Sequence, residues 1–144
     1  MSRGWLFRII TTPPAAWSAD DLGRLTGSEL GSVAALMGVG MTGRKAERIA
    51  RILALRDLRV TLAHFAGDDE ADQAGLHAAV DALAAAYRGR ELREMCLVAQ
   101  LYLGKTKRAK AVALIQWRNS CRRRGQQALR EAKAATRAEA RPVQ

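Results

Sequence analysis

The chain has 144 residues, a hydrophobic fraction of 49% and an aromatic fraction of only 5%. This length fits one compact domain or two very small ones, and the alanine-rich, aromatic-poor composition favours thin, helix-packed cores over a thick sheet-type core. The formal net charge of +10 predicts attraction to polyanions but says little about the fold.

Cysteine usage and hydropathy exclude several other classes of protein. Cys96 and Cys121 are too few for a disulfide framework or a four-ligand zinc site. The apolar run at residues 5–10 is interrupted by Arg8, lacks a small-residue cleavage signal and is too short to span a bilayer. We therefore expect a cytoplasmic protein that does not contact a membrane.

The positive charge is concentrated in the second half of the chain. Residues 82–144 carry 15 of the 24 lysines and arginines but only 4 of the 14 acidic residues. An acidic cluster, made of Asp68, Asp69, Glu70 and Asp72, separates the two halves. This distribution favours a basic C-terminal surface that binds phosphate, with a solvated charged face as the alternative.

Residues 1–17 alternate large apolar side chains with arginine and threonine and end near two consecutive prolines. This pattern predicts an extended N-terminal arm or edge strand. Trp5, Phe7 and Ile9 of this arm are the candidate residues for contact with a protein partner.

Residues 18–67 predict a first helical unit. Ser18 and Thr26 are each followed three residues later by an acidic side chain, which is the pattern of a helix-starting capping box. Apolar residues then recur at helical spacing until Gly38, where glycine ends the helix because it accepts positive φ. Thr42 is predicted to cap the next helix, and residues 57–66 predict further helix.

Residues 71–140 predict a second, basic helical unit. The alanine-rich segment 71–87 predicts one helix, and residues from Lys105 through Trp117 predict another that continues past Gly125. A weak internal repeat with a constant offset relates the two units, pairing for example Gly27 with Gly89 and Lys45 with Lys107. The sequence alone leaves open whether this similarity reflects duplication or two unrelated amphipathic helices.

The segment GVGMTGRKAERIARI at residues 38–52 resembles the core of the SAP domain, a short helix, extended turn and helix found in chromatin and DNA-repair proteins. The resemblance covers about residues 25–56, with a diverged second copy at about residues 89–119. It implies an all-α protein that binds DNA through the turn and the start of the second helix. Gly40 departs from the family, which usually has a proline or another stiff residue there.

Physical chemistry points to the same contacts, because the free N–H groups at a helix start favour phosphate and nearby cations add to the attraction. Such contacts give affinity but little base specificity. Trp117 is either a core residue or a platform for an unpaired base. The candidate DNA-binding residues are Gly43, Arg44, Lys45, Arg48 and Arg51 in the first unit, and Lys105, Lys107, Arg108, Lys110, Arg118, Arg122, Arg123 and Arg124 in the second.

The residues offer no convincing catalytic or metal site. His64 and His77 flank the acidic cluster without a known ligand spacing, and Cys121 has no paired base, although the three arginines after it predict a lowered pKa. We therefore expect a non-enzymatic, cofactor-free accessory or architectural protein that binds DNA in preference to RNA. The alternatives are an assembly subunit that docks through the N-terminal arm and an RNA-binding protein, and self-association is left open.

Overall fold

The computed structural model describes residues 2–40, 42–65 and 73–140, and these residues form helices joined by short turns without any strand. The all-α prediction is therefore confirmed. The helices are α1 (Ser2–Thr11), α2 (Ala19–Gly23), α3 (Gly27–Met37), α4 (Lys45–Leu62), α5 (Gln73–Ala86), α6 (Gly89–Val98) and α7 (Lys107–Ala140), with a 3-10 turn at Pro14–Ala16. The acidic cluster at residues 68–72 lies outside the described residues.

The N-terminal segment is a helix, so the prediction of an extended arm over residues 1–17 is wrong. Ile9 of α1 is 3% exposed and belongs to the core. The indole Nε1 of Trp17 donates hydrogen bonds to the carbonyls of Ile9 at 3.0 Å and Thr12 at 3.2 Å, which fixes the end of α1. The helix forms because tertiary burial of one of its faces outweighs the strand-like alternation of its sequence.

The predicted starts of α2 and α3 are confirmed. Ser18 Oγ accepts a hydrogen bond from the Asp21 N–H at 3.1 Å, and Thr26 Oγ1 accepts one from the Glu29 N–H at 3.1 Å. In both cases the acidic side chain bonds back to the capping residue's own N–H. These are complete capping boxes, whose signal is local and can be read from four residues.

The start of α4 differs from the prediction, since the N-cap is Arg44 and not Thr42. Gly43 has a φ of +102°, a conformation that cannot belong to a right-handed helix, so the extended turn continues to Arg44. From there α4 runs without a break to Leu62, and residues 57–62 belong to it. Its buried side chains recur at helical spacing, at Ile52, Leu55, Leu58 and Leu62.

The buried side chains form two clusters, one for each half of the chain. The first cluster joins α1, α2 and α3 with α4 as far as Leu55, whereas the second joins the end of α4 with α5, α6 and α7. Trp117 of α7 packs against both clusters, as a core residue would. Because α4 contributes to both clusters, the two units share this helix.

The internal repeat of the sequence recurs in the geometry of the backbone. Helices α3 and α6 begin at the paired residues Gly27 and Gly89, and α4 and α7 begin at the paired residues Lys45 and Lys107. A residue with left-handed backbone follows each of α3 and α6, Gly38 with φ +76° and Gln100 with φ +57°. The same closing hydrogen bond comes next, with Val39 N to Ala34 O at 3.0 Å matching Leu101 N to Cys96 O at 2.9 Å.

Helix α7 crosses α3 at unusually close range. A Cβ on Gly38 would collide with the backbone carbonyl of Cys121, and a Cβ on Gly125 would collide with the carbonyl of Leu36. Glycine at both positions therefore lets the two backbones touch. This close packing explains why α7 continues through Gly125 instead of ending there.

Candidate nucleic-acid interface

The first extended turn joins α3 to α4 over residues 38–44, and Thr42, Gly43 and Arg44 are exposed there. No side chain caps α4 at Arg44, so the first N–H groups of α4 lack the usual cap. A Cβ on Gly43 would lie 2.8 Å from the carboxylate Oε2 of Glu47. The carboxylate of Glu47 thus lies beside the helix start that would receive a phosphate, and the two anions would compete for it.

Two predicted DNA-binding cations of α4 are held by the backbone of the preceding helices. Lys45 Nζ donates to the Gly23 carbonyl at 2.8 Å, and Arg48 Nη1 donates to the Gly27 carbonyl at 3.2 Å. Lys45 remains exposed, while Arg48 is half-buried and its Nε has no hydrogen-bond partner among the described residues. Each cation is therefore held near the start of α4 by a backbone carbonyl, and the exposed ammonium group of Lys45 has further N–H donors with which to contact a phosphate.

Two arginines that the sequence did not point to lie on the ring of Trp5 in α1. The guanidinium of Arg24 lies 4.6 Å from the ring centroid, and that of Arg8 lies 5.3 Å from it. The Trp5 indole is itself fixed by a 2.8 Å hydrogen bond to the Asp21 carbonyl. Since Arg24 follows directly after Gly23, which accepts the bond from Lys45, this aromatic platform extends the basic surface of the first turn.

The second extended turn joins α6 to α7 and has a different environment. Lys105 and Lys107 are exposed, and neither ammonium group bonds to another described residue. Thr106 Oγ1 caps α7 by accepting a hydrogen bond from the Ala109 N–H at 3.0 Å. Ala109 occupies the position equivalent to Glu47, so no carboxylate from that position competes for an anion here.

Two other predicted cations of the second turn are already engaged. The guanidinium of Arg108 forms an ion pair with Asp81 and lies 3.2 Å from His77 Nδ1. Lys110 Nζ donates to the Gly104 carbonyl at 2.7 Å. Both can add to the local potential, but Lys105 and Lys107 are the cations most available to a phosphate.

Arg118 was predicted to bind DNA, and the structure overturns this assignment. The side chain is 2% exposed. Its Nη1 donates to the carbonyls of Leu62, at 2.9 Å, and Phe65, and its Nε and Nη2 donate to Asn119 Oδ1. The guanidinium stays buried because it satisfies carbonyls at the C-terminal end of α4 that have no partner within the helix.

Several other arginines support the fold in the same way. Arg59 donates to the Met37 carbonyl at 2.6 Å and exposed Arg124 donates to the Gly38 carbonyl at 2.8 Å, so both stabilise the end of α3. Arg56 donates to two carbonyls in the segment before α2. Of the remaining predicted cations, Arg51, Arg122 and Arg123 are half-buried and Arg44 is exposed. Much of the positive charge therefore has a structural role.

Two open grooves run along one face of α7 and meet at Arg124. The larger, of about 540 Å³, lies against the second turn and is lined by Tyr102, Gln116 and Trp117 among others. The other, of about 330 Å³, lies against the first turn at Val39 and Gly40. Both extended turns therefore border the same face of the longest helix.

The predicted partner-binding residues do not form one surface. Ile9 is buried in the core, so its assignment is wrong, and Trp5 packs beneath the two arginines. Phe7 is 69% exposed and Ile10, one helical turn further, is 40% exposed. These two side chains form the apolar surface of α1 that is open to solvent.

The thiol chemistry also differs from the prediction. Cys96 and Cys121 are free and fully buried. Burial raises the pKa of the Cys121 thiol, although Arg59 and Arg124 act in the opposite direction, so the expected lowering is wrong. Burial likewise raises the pKa of Cys96. Within the described residues, no group of three or more His, Cys, Asp or Glu side chains could hold a metal ion.

Comparison of the chain with protein families, with curated proteins and with solved structures finds no match. In the described part of the chain, no helix has the length and apolar character needed to cross a membrane. The geometry and charge of the two turns are therefore the basis on which a function can be inferred.

Proposed function

We propose that the chain is a non-enzymatic cytoplasmic protein that binds DNA as an accessory or architectural factor and contacts the phosphate backbone through its two extended turns. The observation that carries this proposal is the recurrence of exposed cations where each turn meets the next helix. Arg44 and Lys45 lie at the start of α4, and Lys105 and Lys107 lie at the start of α7. A SAP-like mode of binding at the first turn belongs to this proposal.

The arrangement suits phosphate better than bases. Helix starts and cationic side chains recognise the backbone, and phosphate contacts position a protein without reading sequence. Arg8 and Arg24 widen the first contact area beyond the turn itself, because they lie over the Trp5 ring next to Lys45. Binding should consequently depend strongly on salt and weakly on base sequence.

Fluorescence anisotropy of labelled duplex DNA over a series of salt concentrations tests the proposal. Lys45→Glu should weaken binding about tenfold and reduce the salt slope by about one, because one phosphate contact is replaced by a repulsion. Lys133→Glu is the matched control, since it makes the same charge change at an exposed position of α7 that lines neither of the two grooves beside the turns. Equal losses in the two variants would mean that only net charge matters and would reject the turn as the site.

A second candidate function, docking to a protein partner through α1, is favoured by the exposure of Phe7 and Ile10. Apolar contacts are insensitive to salt, so this mode predicts an interaction that persists at high ionic strength. Phe7→Ser should abolish it without changing the affinity for DNA. The remaining alternative is an RNA-binding protein. It predicts a higher affinity for labelled RNA than for labelled DNA in the same anisotropy series.

A further inference from the structure

The equivalent surfaces of the two units differ in whether they are covered. In the first unit, the end of α3 and the start of its turn lie against α7, which approaches so closely that Gly38 cannot carry a side chain. The equivalent surface of the second unit, at the end of α6 and the start of its turn, has no described helix across it. It exposes Leu97 by 54%, Val98 by 39% and Tyr102 by 88%.

Tyr102 forms one wall of the larger groove. The rest of the groove follows one face of α7, where Gln116, Trp117 and Ser120 lie between the turn and Arg124. Its volume of about 540 Å³ is in the range of sites that bind small molecules and single nucleotides. An aromatic ring this exposed gains little from the protein's own packing and is free to stack on a planar group.

The charges around the groove favour a polyanion. Lys105 lies next in sequence to Gly104 of the groove, Lys107 begins α7, and Arg124 stands at the opposite end. None of the groove-lining residues is acidic, and nearby Asp81 is already paired with Arg108. A ligand with both phosphates and a flat aromatic ring matches this surface.

We infer that the groove binds single-stranded nucleic acid, with an unpaired base stacked on Tyr102, one phosphate at Lys105 and another, several nucleotides along the same strand, at Arg124. This inference rests on the proposed function and adds a strand preference to it. A base in a duplex is stacked on both faces, so only an unpaired base can offer a face to Tyr102. Aromatic stacking tolerates any base, which predicts weak sequence preference.

The test compares affinities of Tyr102 variants for labelled oligothymidine, oligouridine and a DNA duplex of the same length. Tyr102→Ala should weaken binding to both single strands about tenfold and leave duplex affinity unchanged, because only the single strands stack on the ring. Tyr102→Phe keeps the ring and should retain most of the affinity. Phe7→Ala is the matched control, since it removes the other highly exposed aromatic ring and should change neither.

The outcomes separate this inference from the proposed function. If the protein binds duplex DNA but Tyr102→Ala does not change its affinity for the single strands, the inference is overturned and the proposed function still holds. Absence of binding to every probe at low salt would overturn both. If Tyr102→Ala instead changes the sedimentation of the protein without changing any nucleic-acid affinity, the surface is a protein interface and the inference is wrong.

Discussion

The two units of this chain share a backbone pattern but use it differently. In the first, the left-handed residue that ends α3 is a glycine, and α7 packs directly onto it. In the second, the equivalent residue is Gln100, which is exposed because no described helix crosses there. The same turn therefore acts as a packing surface in one unit and is open to a ligand in the other.

The contrast extends to the chemistry of the turns. The first turn has a carboxylate, Glu47, beside the helix start, and its cations Lys45 and Arg48 are bonded to backbone carbonyls. The second has Ala109 at that position and two lysines that bond to no other described residue. The cations of the second turn are therefore more available to an anion, whereas those of the first turn also stabilise the packing of α4 against α2 and α3.

The largest expected effect comes from adding a methyl group where α7 crosses α3. Gly38→Ala should lower the free energy of unfolding by about 3 kcal/mol, since it combines left-handed backbone strain with a collision against Cys121. Gln100→Ala is the matched variant and should change stability by less than about 0.5 kcal/mol, because that position is exposed and already holds an L-residue. Urea denaturation measures both. Similar losses would show that the two positions are equivalent after all.

A smaller difference is expected between two arginines at equivalent positions, Arg118 and Arg56. Arg118→Met should cost about 2 kcal/mol of stability, because it removes the donor to the part-buried Phe65 carbonyl and one of the two donors to the buried Leu62 carbonyl. Arg56→Met should cost about 1 kcal/mol, since the carbonyls that it satisfies, of Pro14 and Trp17, lie nearer to solvent. Thermal unfolding of the two variants would refute this ranking if Arg56→Met proved the more destabilising.

The smallest expected effect concerns the two thiols and is a dependence on pH. Burial raises the pKa of both Cys96 and Cys121, so the folded protein keeps these protons after the unfolded chain has lost them. The stability contributed by the protonated thiols is complete below the unfolded pKa of about 8.5 and declines as the pH rises above it.

Neither thiol should react with Ellman's reagent until the protein is unfolded. Rapid labelling of the native protein would contradict their burial.

Local signals in the sequence predicted much of the fold. The capping boxes at Ser18 and Thr26 and the end of α3 at Gly38 depend on residues within a few positions of one another, so they could be recognised directly. The helical state of residues 2–11 could not, because it depends on the burial of Ile9 against residues that come later in the chain. The strand-like alternation of that segment was a weaker influence than its tertiary contacts.

The candidate site was harder to predict than the fold, because an arginine has the same sequence signature on the surface and in the core. Arg118 donates to the carbonyls of Leu62 and Phe65, which lie so much earlier in the chain that no local pattern connects them. Arg24 is a single arginine outside the basic clusters of the sequence. It joins the basic surface only because the fold places its guanidinium over the Trp5 ring. Tyr102 had no pattern of its own, and only its exposure indicates a role.

The affinity for duplex DNA of the unmodified protein, of Lys45→Glu and of Lys107→Glu, measured at two salt concentrations, tests the central claim most directly. The two lysines are equivalent in the two turns, so each variant should weaken binding and lower the salt slope by about one. An affinity that does not change with salt, or that is the same in both variants as in the unmodified protein, would contradict the claim that the extended turns are the phosphate-binding surface.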